Sequence, residues 1–389
     1  MTDQPTLALY VHIPICAHKC YYCDFVSRPV ESADRVQYLE ALFSEIRLSP
    51  FRGSRARSLY LGGGTPSLLT GDEIAALVDL LEDTFQFEPE AEWTIEANPG
   101  TLSPACCDRL LELGFDRISI GVQSFQNRHL RRLGRLHTAD QVFQSYQWFR
   151  QAGAENINLD LIFGIPDQEL GEWHQDLETA VGLAPEHLSI YGLTIEPSTP
   201  FGYLREVGVL REPPEEVMAD MYELTIDVLQ AAGYEHYEIS NFALPGYECQ
   251  HNLTYWRNEP YLGFGISAAS FVEGVRWTNT TDWETYLASA RRGRVERATE
   301  ERLPVPLALA EEVMLRIRTK EGVSPAELAG KYAVDFAALF AEIVEKLVET
   351  GLLERSDTGI LRLTRRGKLL ANEVCSEFLH AARELSEVE

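Results

Sequence analysis

Three cysteines fall within eight residues, Cys16-Ala-His-Lys-Cys20-Tyr-Tyr-Cys23. Thiolates are soft ligands and suit zinc or iron–sulfur clusters. The C-x3-C-x2-C spacing can place three of them on three corners of a cubane cluster. A closed structural zinc site wants a fourth ligand, which only His12, His18 or a distant side chain could supply. With three cysteines and no fourth, one iron is left open for a substrate. A zinc knot or a redox C-x-x-C is the competing reading. Cys106, Cys107 and Cys375 lack metal spacing and read as core or helix residues.

The elements around the cysteines say where this chemistry sits. The run before them, Leu7–Ile13, is rich in β-branched and aromatic residues and reads as a strand. Pro14 ends it and throws the cysteines into a loop. A strand-then-helix rhythm follows. Predicted strands are Ser58–Leu61, Glu92–Ala97, Asp116–Val122, Asn156–Phe163 and His187–Leu193. Predicted helices lie near Asp34–Leu48, Asp72–Thr84, Pro104–Leu113 and Gly171–Leu183, with helical stretches running to Ala152. Six such units imply an α/β fold with a parallel sheet closed or partly closed into a (β/α)6 barrel. Barrels of parallel strands carry their chemistry at the C-terminal strand ends.

Each predicted strand end carries a motif. Gly62-Gly63-Gly64-Thr65-Pro66 follows the second strand, where glycines admit close approach of a ligand and offer amide donors. Glu96 and Asn98 follow the third, with Asn98 read as closing a Pro-Gly turn. Gly121-Val-Gln123-Ser124-Phe125 follows the fourth. The basic stretch after it (Arg128, His129, Arg131, Arg132, Arg135, His137) reads mostly as a solvated helix face. Asp160 is a charge inside a buried-type strand, which marks a paired or functional group. Tyr191–Pro197 closes the far wall.

Beyond the barrel, Pro213-Pro214 starts a helix to Ala232, Tyr234–Ile239 reads as a strand and Asn241–Pro245 as a loop. The small residues of Gly263–Ser270 allow tight backbone packing against the barrel or a flat ligand. From 307 onward the pattern is helices, a hairpin at Leu352–Arg355 and Ile360–Leu363, and a last helix from Thr364 to Ala382. That order resembles a winged-helix module. The predicted division is 1–200, 201–303 and 304–389. Lys plus Arg is 34 against 60 Asp plus Glu, a net charge of −26. So acidic a surface repels nucleic acid and anionic membranes. A lid or docking role therefore suits the C-terminal module better than DNA binding. Seven cysteines without a disulfide framework, and no signal or spanning segment, predict a reducing cytoplasm.

The cysteine spacing followed by the aromatic Phe25 resembles the radical S-adenosylmethionine (SAM) superfamily. Leu9-Tyr-Val-His-Ile-Pro14, the three cysteines, GGGTP, EANPG, GVQSF and DLIFGIP occur in order. Together they resemble the oxygen-independent coproporphyrinogen III oxidases and their haem-chaperone relatives. The resemblance implies a radical-SAM barrel with a [4Fe–4S] cluster on Cys16, Cys20 and Cys23. It implies SAM against Tyr10, Tyr22, Gly63, Gly64, Thr65, Glu96, Gln123, Arg135 and Asp160. SAM would chelate the open iron, and one electron from the cluster would cleave its sulfonium.

Two features favour the chaperone branch. True oxidases carry a fourth cysteine one residue beyond the third, where this chain has Phe25, and an extension before the first strand. Cys249-Gln-His251-Asn252-Leu-Thr-Tyr255-Trp256 resembles the H-N-x-x-Y-W hallmark of the HemW-type haem chaperones. A neutral imidazole suits haem iron and the Tyr and Trp faces suit a porphyrin. The resemblance thus implies haem on His251, Asn252, Tyr255 and Trp256, with His251 as iron ligand and Cys249 as the alternative. Its implied partners are haem and haem-requiring recipient proteins, with no nucleic acid. Peripheral membrane association through recipients and a homodimer are further expectations. The rival functions are a coproporphyrinogen III dehydrogenase, a radical-SAM enzyme on another tetrapyrrole and a winged-helix regulator sensing iron–sulfur status.

Overall fold

Apolar alternation and capping residues build six strand–helix units in order. The structure, a computed structural model, describes residues 5–29 and 31–386. Its first half runs β1 (Leu7–Ile13), α1 (Ser32–Arg47), β2 (Arg55–Gly63), α2 (Gly71–Thr84), β3 (Gln86–Ala97), α3 (Pro104–Glu112), β4 (Arg117–Gln123), α4 (Asn127–Leu133), α5 (Ala139–Ala152), β5 (Ile157–Phe163), α6 (Leu170–Leu183) and β6 (His187–Gly192). Thr70 and Thr138 open α2 and α5 with capping boxes, each closed by the Glu or Gln three residues on. Gly134 and Gly153 end α4 and α5 in the left-handed conformation. Strands β1 to β6 pair in chain order, all parallel.

The two faces of these strands differ in chemistry. Leu59, Leu61, Ile118, Ile120, Leu159, Leu188 and Ile190 are buried in one core with Tyr38, Leu77, Leu110, Phe149 and Trp173 of the helices. The alternate positions, including Tyr60, Glu96, Arg117, Ser119, Asn158, Asp160 and Ser189, line a cavity instead. A packed barrel of this class fills its interior with branched apolar side chains. Here the lumen is a polar chamber.

The chain continues with α7 (Pro200–Glu206), α8 (Glu215–Ala231), β7 (Glu235–His236), β8 (Asn241–Ala243), α9 (Gln250–Trp256), β9 (Tyr261–Phe264), β10 (Ala269–Val272), β11 (Val275–Asn279), α10 (Trp283–Ala290) and β12 (Arg297–Glu301). These strands extend one sheet in the order β12-β11-β10-β9-β1-β2-β3-β4-β5-β6-β8-β7. The ends β12 and β7 are not paired to each other, so the barrel stays open. Strand β9 lies parallel to β1, a strand the sequence pattern did not reveal. The predicted strand Tyr234–Ile239 shrinks to β7, and the predicted loop from Asn241 contains β8, antiparallel to β6. The cause is Glu238, whose buried carboxylate accepts from the Ser240 amide and the Asn241 side chain and turns the chain there.

A separate core of Leu309, Val313, Phe340, Val344 and Phe378 organises the C-terminal winged-helix-like α+β part. It comprises α11 (Val305–Arg316), α12 (Pro325–Tyr332), α13 (Phe336–Glu349), the hairpin β13 (Leu353–Arg355) and β14 (Leu361–Leu363), α14 (Arg365–Leu369) and α15 (Ala371–Ser386). The predicted single last helix is broken at Leu370, which leaves helical geometry at φ −114°. Its basic residues are engaged inside the molecule. Arg365 pairs with Glu223 and Asp227 of α8, and Lys368 donates to Nδ1 of His236 at 3.0 Å. Among the described residues no helix is long and apolar enough to cross a membrane.

Candidate functional site

The three cysteines line the same cavity as the strand-end motifs, a space of about 350 Å³. Cys16, Cys20 and Cys23 stand in the loop after β1, half-buried and unpaired as disulfides. The loop is tied down from two sides. The Tyr21 amide donates to the Leu133 carbonyl at 3.1 Å, and the Phe201 amide donates to the Tyr21 carbonyl at 2.9 Å. Arg135 reaches Cys20 Sγ with Nη1 at 3.5 Å and donates from Nη2 to the Gly121 carbonyl at 3.0 Å. A guanidinium at that distance offsets the charge of thiolates. No three His, Cys, Asp or Glu side chains among the described residues gather around one point as a single metal ion needs. His12 is also taken, with Nε2 at 2.8 Å from the Val26 carbonyl and Nδ1 at 3.0 Å from the Tyr10 hydroxyl.

At the end of β2 the glycines serve close approach, and the amides of Gly63 and Gly64 donate within the chain. The Gly64 amide donates to the Ile13 carbonyl at 2.8 Å and the Gly63 amide to Glu96 Oε2 at 3.0 Å. A Cβ on Gly64 would lie 2.6 Å from the Ile15 carbonyl oxygen, and Gly63 sits at φ +112°. Only glycine lets this turn press against the cysteine loop. Gln123 ends β4 at φ +68°, a strained position for a non-glycine residue that turns its side chain toward Gly121.

Two carboxylates face the cavity, and neither is bonded to a cation, although the Arg117 charge acts on both. Glu96 accepts from the Tyr60 hydroxyl at 2.9 Å and the Gly63 amide. Asp160 accepts from Ser119 Oγ at 3.0 Å and Asn158 Nδ2 at 2.8 Å. Burial, with Asp160 as the next cause, pushes Glu96 up to about 7. Burial raises Asp160 as well. Carboxylates held this way are poised for a positively charged ligand.

The H-N-x-x-Y-W segment forms α9, which closes the opposite, N-terminal end of the strands. Its N-terminus is held by Glu92 of β3, which accepts from the amides of Gln250 and His251 at 3.1 and 3.0 Å and from Cys249 Sγ at 3.3 Å. His251 is 1% exposed. Its Nδ1 meets Ser58 Oγ and its Nε2 meets the Tyr255 hydroxyl, both at 2.8 Å. As folded, neither nitrogen is open to iron. Cys249 is fully buried, and burial raises its pKa, so its neutral thiol makes a poor ligand. Asn252 points to the main cavity. Tyr255 and Tyr10 line a smaller one of about 280 Å³ with His12, Phe25 and Tyr261. Trp256 is half-buried and lines neither.

The structure thus brings together the cysteines, Tyr22, Gly63, Gly64, Thr65, Glu96, Gln123, Arg135 and Asp160, and leaves Tyr10 in the adjacent cavity. Sequence reasoning passed over Tyr60, Arg117, Ser119, Asn158 and Ser189, which also face the lumen. Their signal was present as polar residues at every second position in Arg-Ile-Ser-Ile-Gly and Asn-Leu-Asp. In the basic stretch, His129 and His137 are buried rather than solvated. His137 bridges Asn98 Oδ1 at 3.2 Å and the Val122 carbonyl at 3.1 Å.

The radical SAM superfamily profile matches residues 10–180, and the HemN C-terminal domain profile matches 305–370. The heme chaperone HemW of Lactococcus lactis is 38% identical over 97% of this chain and 98% of its own. That of Escherichia coli is 35% identical over 97% of this chain and 100% of its own. The chain belongs to the HemW family of haem chaperones. Among solved structures, the coproporphyrinogen III oxidase (HemN) of Escherichia coli, a radical SAM enzyme, superposes with a TM-score of 0.84 at 27% identity. That likeness covers 97% of this chain and 90% of the oxidase. Radical SAM membership implies SAM and a [4Fe–4S] cluster as the cofactors of the HemW fold. Phe25, where the oxidase pattern has a fourth cysteine, is 62% exposed between the two cavities.

Proposed function

We propose that the protein is a cytosolic haem chaperone that binds a [4Fe–4S] cluster, SAM and haem and passes haem to haem-requiring proteins. The observation that carries the reading is the likeness to heme chaperones over nearly the whole of both chains. In this reading Cys16, Cys20 and Cys23 hold the cluster. Tyr22, Gly63, Gly64, Thr65, Glu96, Gln123, Arg135 and Asp160 surround SAM, with Tyr10 behind them. When bound, the cluster supplies an electron to the SAM sulfonium. The chain's part is to seat both in a chamber that keeps water out and charge balanced. His251, Asn252, Tyr255 and Trp256 are assigned to haem, with His251 as the iron ligand once the Tyr255 hydroxyl turns aside. The chain divides at about residues 200 and 303, and the last part docks recipients.

The test is an anaerobic haemin titration of the cluster-loaded protein, followed by its Soret absorbance, beside a coproporphyrinogen turnover assay. Saturable binding with haem recovered intact, and no decarboxylated product, is the expected result. Absence of saturable binding overturns the chaperone reading, and decarboxylated product reinstates the oxidase.

SAM affinity will also depend on pH. Free Glu96 titrates at about 7, raised by burial. A sulfonium beside it favours the ionised carboxylate, so below that pH binding must expel a proton. Affinity should fall as pH drops, by up to about tenfold per unit. Equilibrium dialysis of SAM down to about pH 6 measures this, and Glu96→Gln should bind more weakly with a flat profile. A flat wild-type profile removes Glu96 from the SAM site.

A further inference from the structure

Arg117 opens β4 and is 1% exposed, yet it lines the main cavity near the floor of the lumen. The half-buried guanidinium groups of Arg150 and Arg135 are engaged through their terminal nitrogens. Arg150 bonds to Glu186, Tyr146 and two carbonyls, and Arg135 bonds to Cys20 and Gly121. Arg117 Nε is buried without a partner, and neither of its terminal nitrogens donates to any described residue. A buried cation without hydrogen bonds is costly and rare unless something else completes it. Glu92, Glu96 and Asp160 act on its charge through space, and Glu92's own oxygens are occupied by the α9 amides and the Cys249 thiol. The side chain of Asn252 reaches the same cavity from α9.

We propose that Arg117 and the Asn252 amide form a carboxylate-binding site at the floor of the lumen, distinct from the SAM position near the cysteine loop. A planar guanidinium matches a carboxylate with two parallel hydrogen bonds, and a neighbouring amide can donate a third. The ligand carries a single negative charge, because Glu96 and Asp160 line the same chamber and a dianion would be repelled. It is a small monocarboxylate, or one carboxylate arm of a larger molecule that reaches down the lumen. Six residues separate Arg117 from Gln123 along β4, roughly 20 Å of strand, which keeps this site apart from the cysteine loop.

The probe is sodium propionate, observed by saturation-transfer NMR on the full chain, with neutral propionamide as its isostere. Propionate should bind with a Kd on the order of millimolar or tighter, and propionamide should not compete. Arg117→Met should weaken propionate at least about tenfold, Asn252→Ala less, and the exposed Arg131→Met not at all. Equal binding of propionate and propionamide, or no propionate signal, overturns the proposal, and this comparison needs only the wild-type chain if Arg117→Met does not fold. SAM is then added. Propionate retained beside SAM supports a second site, and propionate displaced by SAM overturns it by making Arg117 part of the SAM site.

Discussion

Cys20→Ser should leave the reconstituted protein without a [4Fe–4S] cluster. Iron and sulfide per chain should fall to near zero, and the cluster absorbance and its reduced-state paramagnetic signal should vanish. In the proposed assignment three thiolates leave one iron open, and losing one more would leave two ligands for four irons. No other cysteine can replace it. Cys106 and Cys107 sit in α3, Cys249 caps the floor helix and Cys375 lies in the C-terminal core. The loss should not spread through the fold. Cys20 is half-buried in a loop whose anchors are backbone bonds from Tyr21 and Phe201, and these survive the exchange. A change within about 1 kcal/mol is therefore expected in a thermal melt of the apoprotein. SAM binding should weaken with the open iron gone. Haemin binding should persist, because α9 lies at the other end of the strands. If the serine variant keeps a full cluster, the ligand assignment is wrong. If it loses haemin binding as well, the two ends of the lumen are coupled and haem is not held by α9 alone.

How far the sequence revealed this site depends on the range of the signals involved. The cysteine spacing and the strand-end motifs are local, and the βα rhythm converts them into one ring because parallel strands share one active end. Asp160 was legible as a charge in a buried-type strand and Glu96 as a carboxylate at a strand end, and the charge of Asp160 acts on Glu96 in the shared lumen. The α9 motif was legible as a pattern of residue types, but not as the floor of the barrel. That placement depends on Glu92, 157 residues before Cys249 in the chain, reaching the helix N-terminus. No local pattern reports such a contact. The same limit hid β9, which earns its place in the sheet only by pairing with β1 from across the molecule. Strand β8 was missed because a loop-like composition was overridden by pairing with β6. Arg117 was readable in principle from period-two alternation, yet an arginine at a strand start looks like a solvated end until its neighbours are known.

The sharpest separation of structure from ligation at α9 comes from two substitutions in one hydrogen-bonded chain. Ser58, His251 and Tyr255 form a buried relay through both imidazole nitrogens. His251→Ala deletes the ring and leaves the Ser58 and Tyr255 hydroxyls unpaired, which should destabilise the protein by about 2–4 kcal/mol. It should also abolish saturable haemin binding if the imidazole is the iron ligand. Tyr255→Phe removes only the hydroxyl that occupies Nε2. If iron and that hydroxyl compete for Nε2, the variant should bind haemin roughly 2- to 12-fold more tightly, the worth of one neutral hydrogen bond of about 0.5–1.5 kcal/mol. Burial, with the Arg117 charge second, lowers His251 to about 3. The imidazole is thus neutral across the workable range, and proton competition at this residue should leave haemin affinity flat between about pH 5 and 8. A purely structural His251 makes the opposite forecast. Tyr255→Phe would then loosen the relay and lower haemin affinity in step with stability, and the two variants would rank alike. Haemin titrations and thermal melts of both proteins decide between these outcomes, because ligation requires the two substitutions to move affinity in opposite directions while both lower stability.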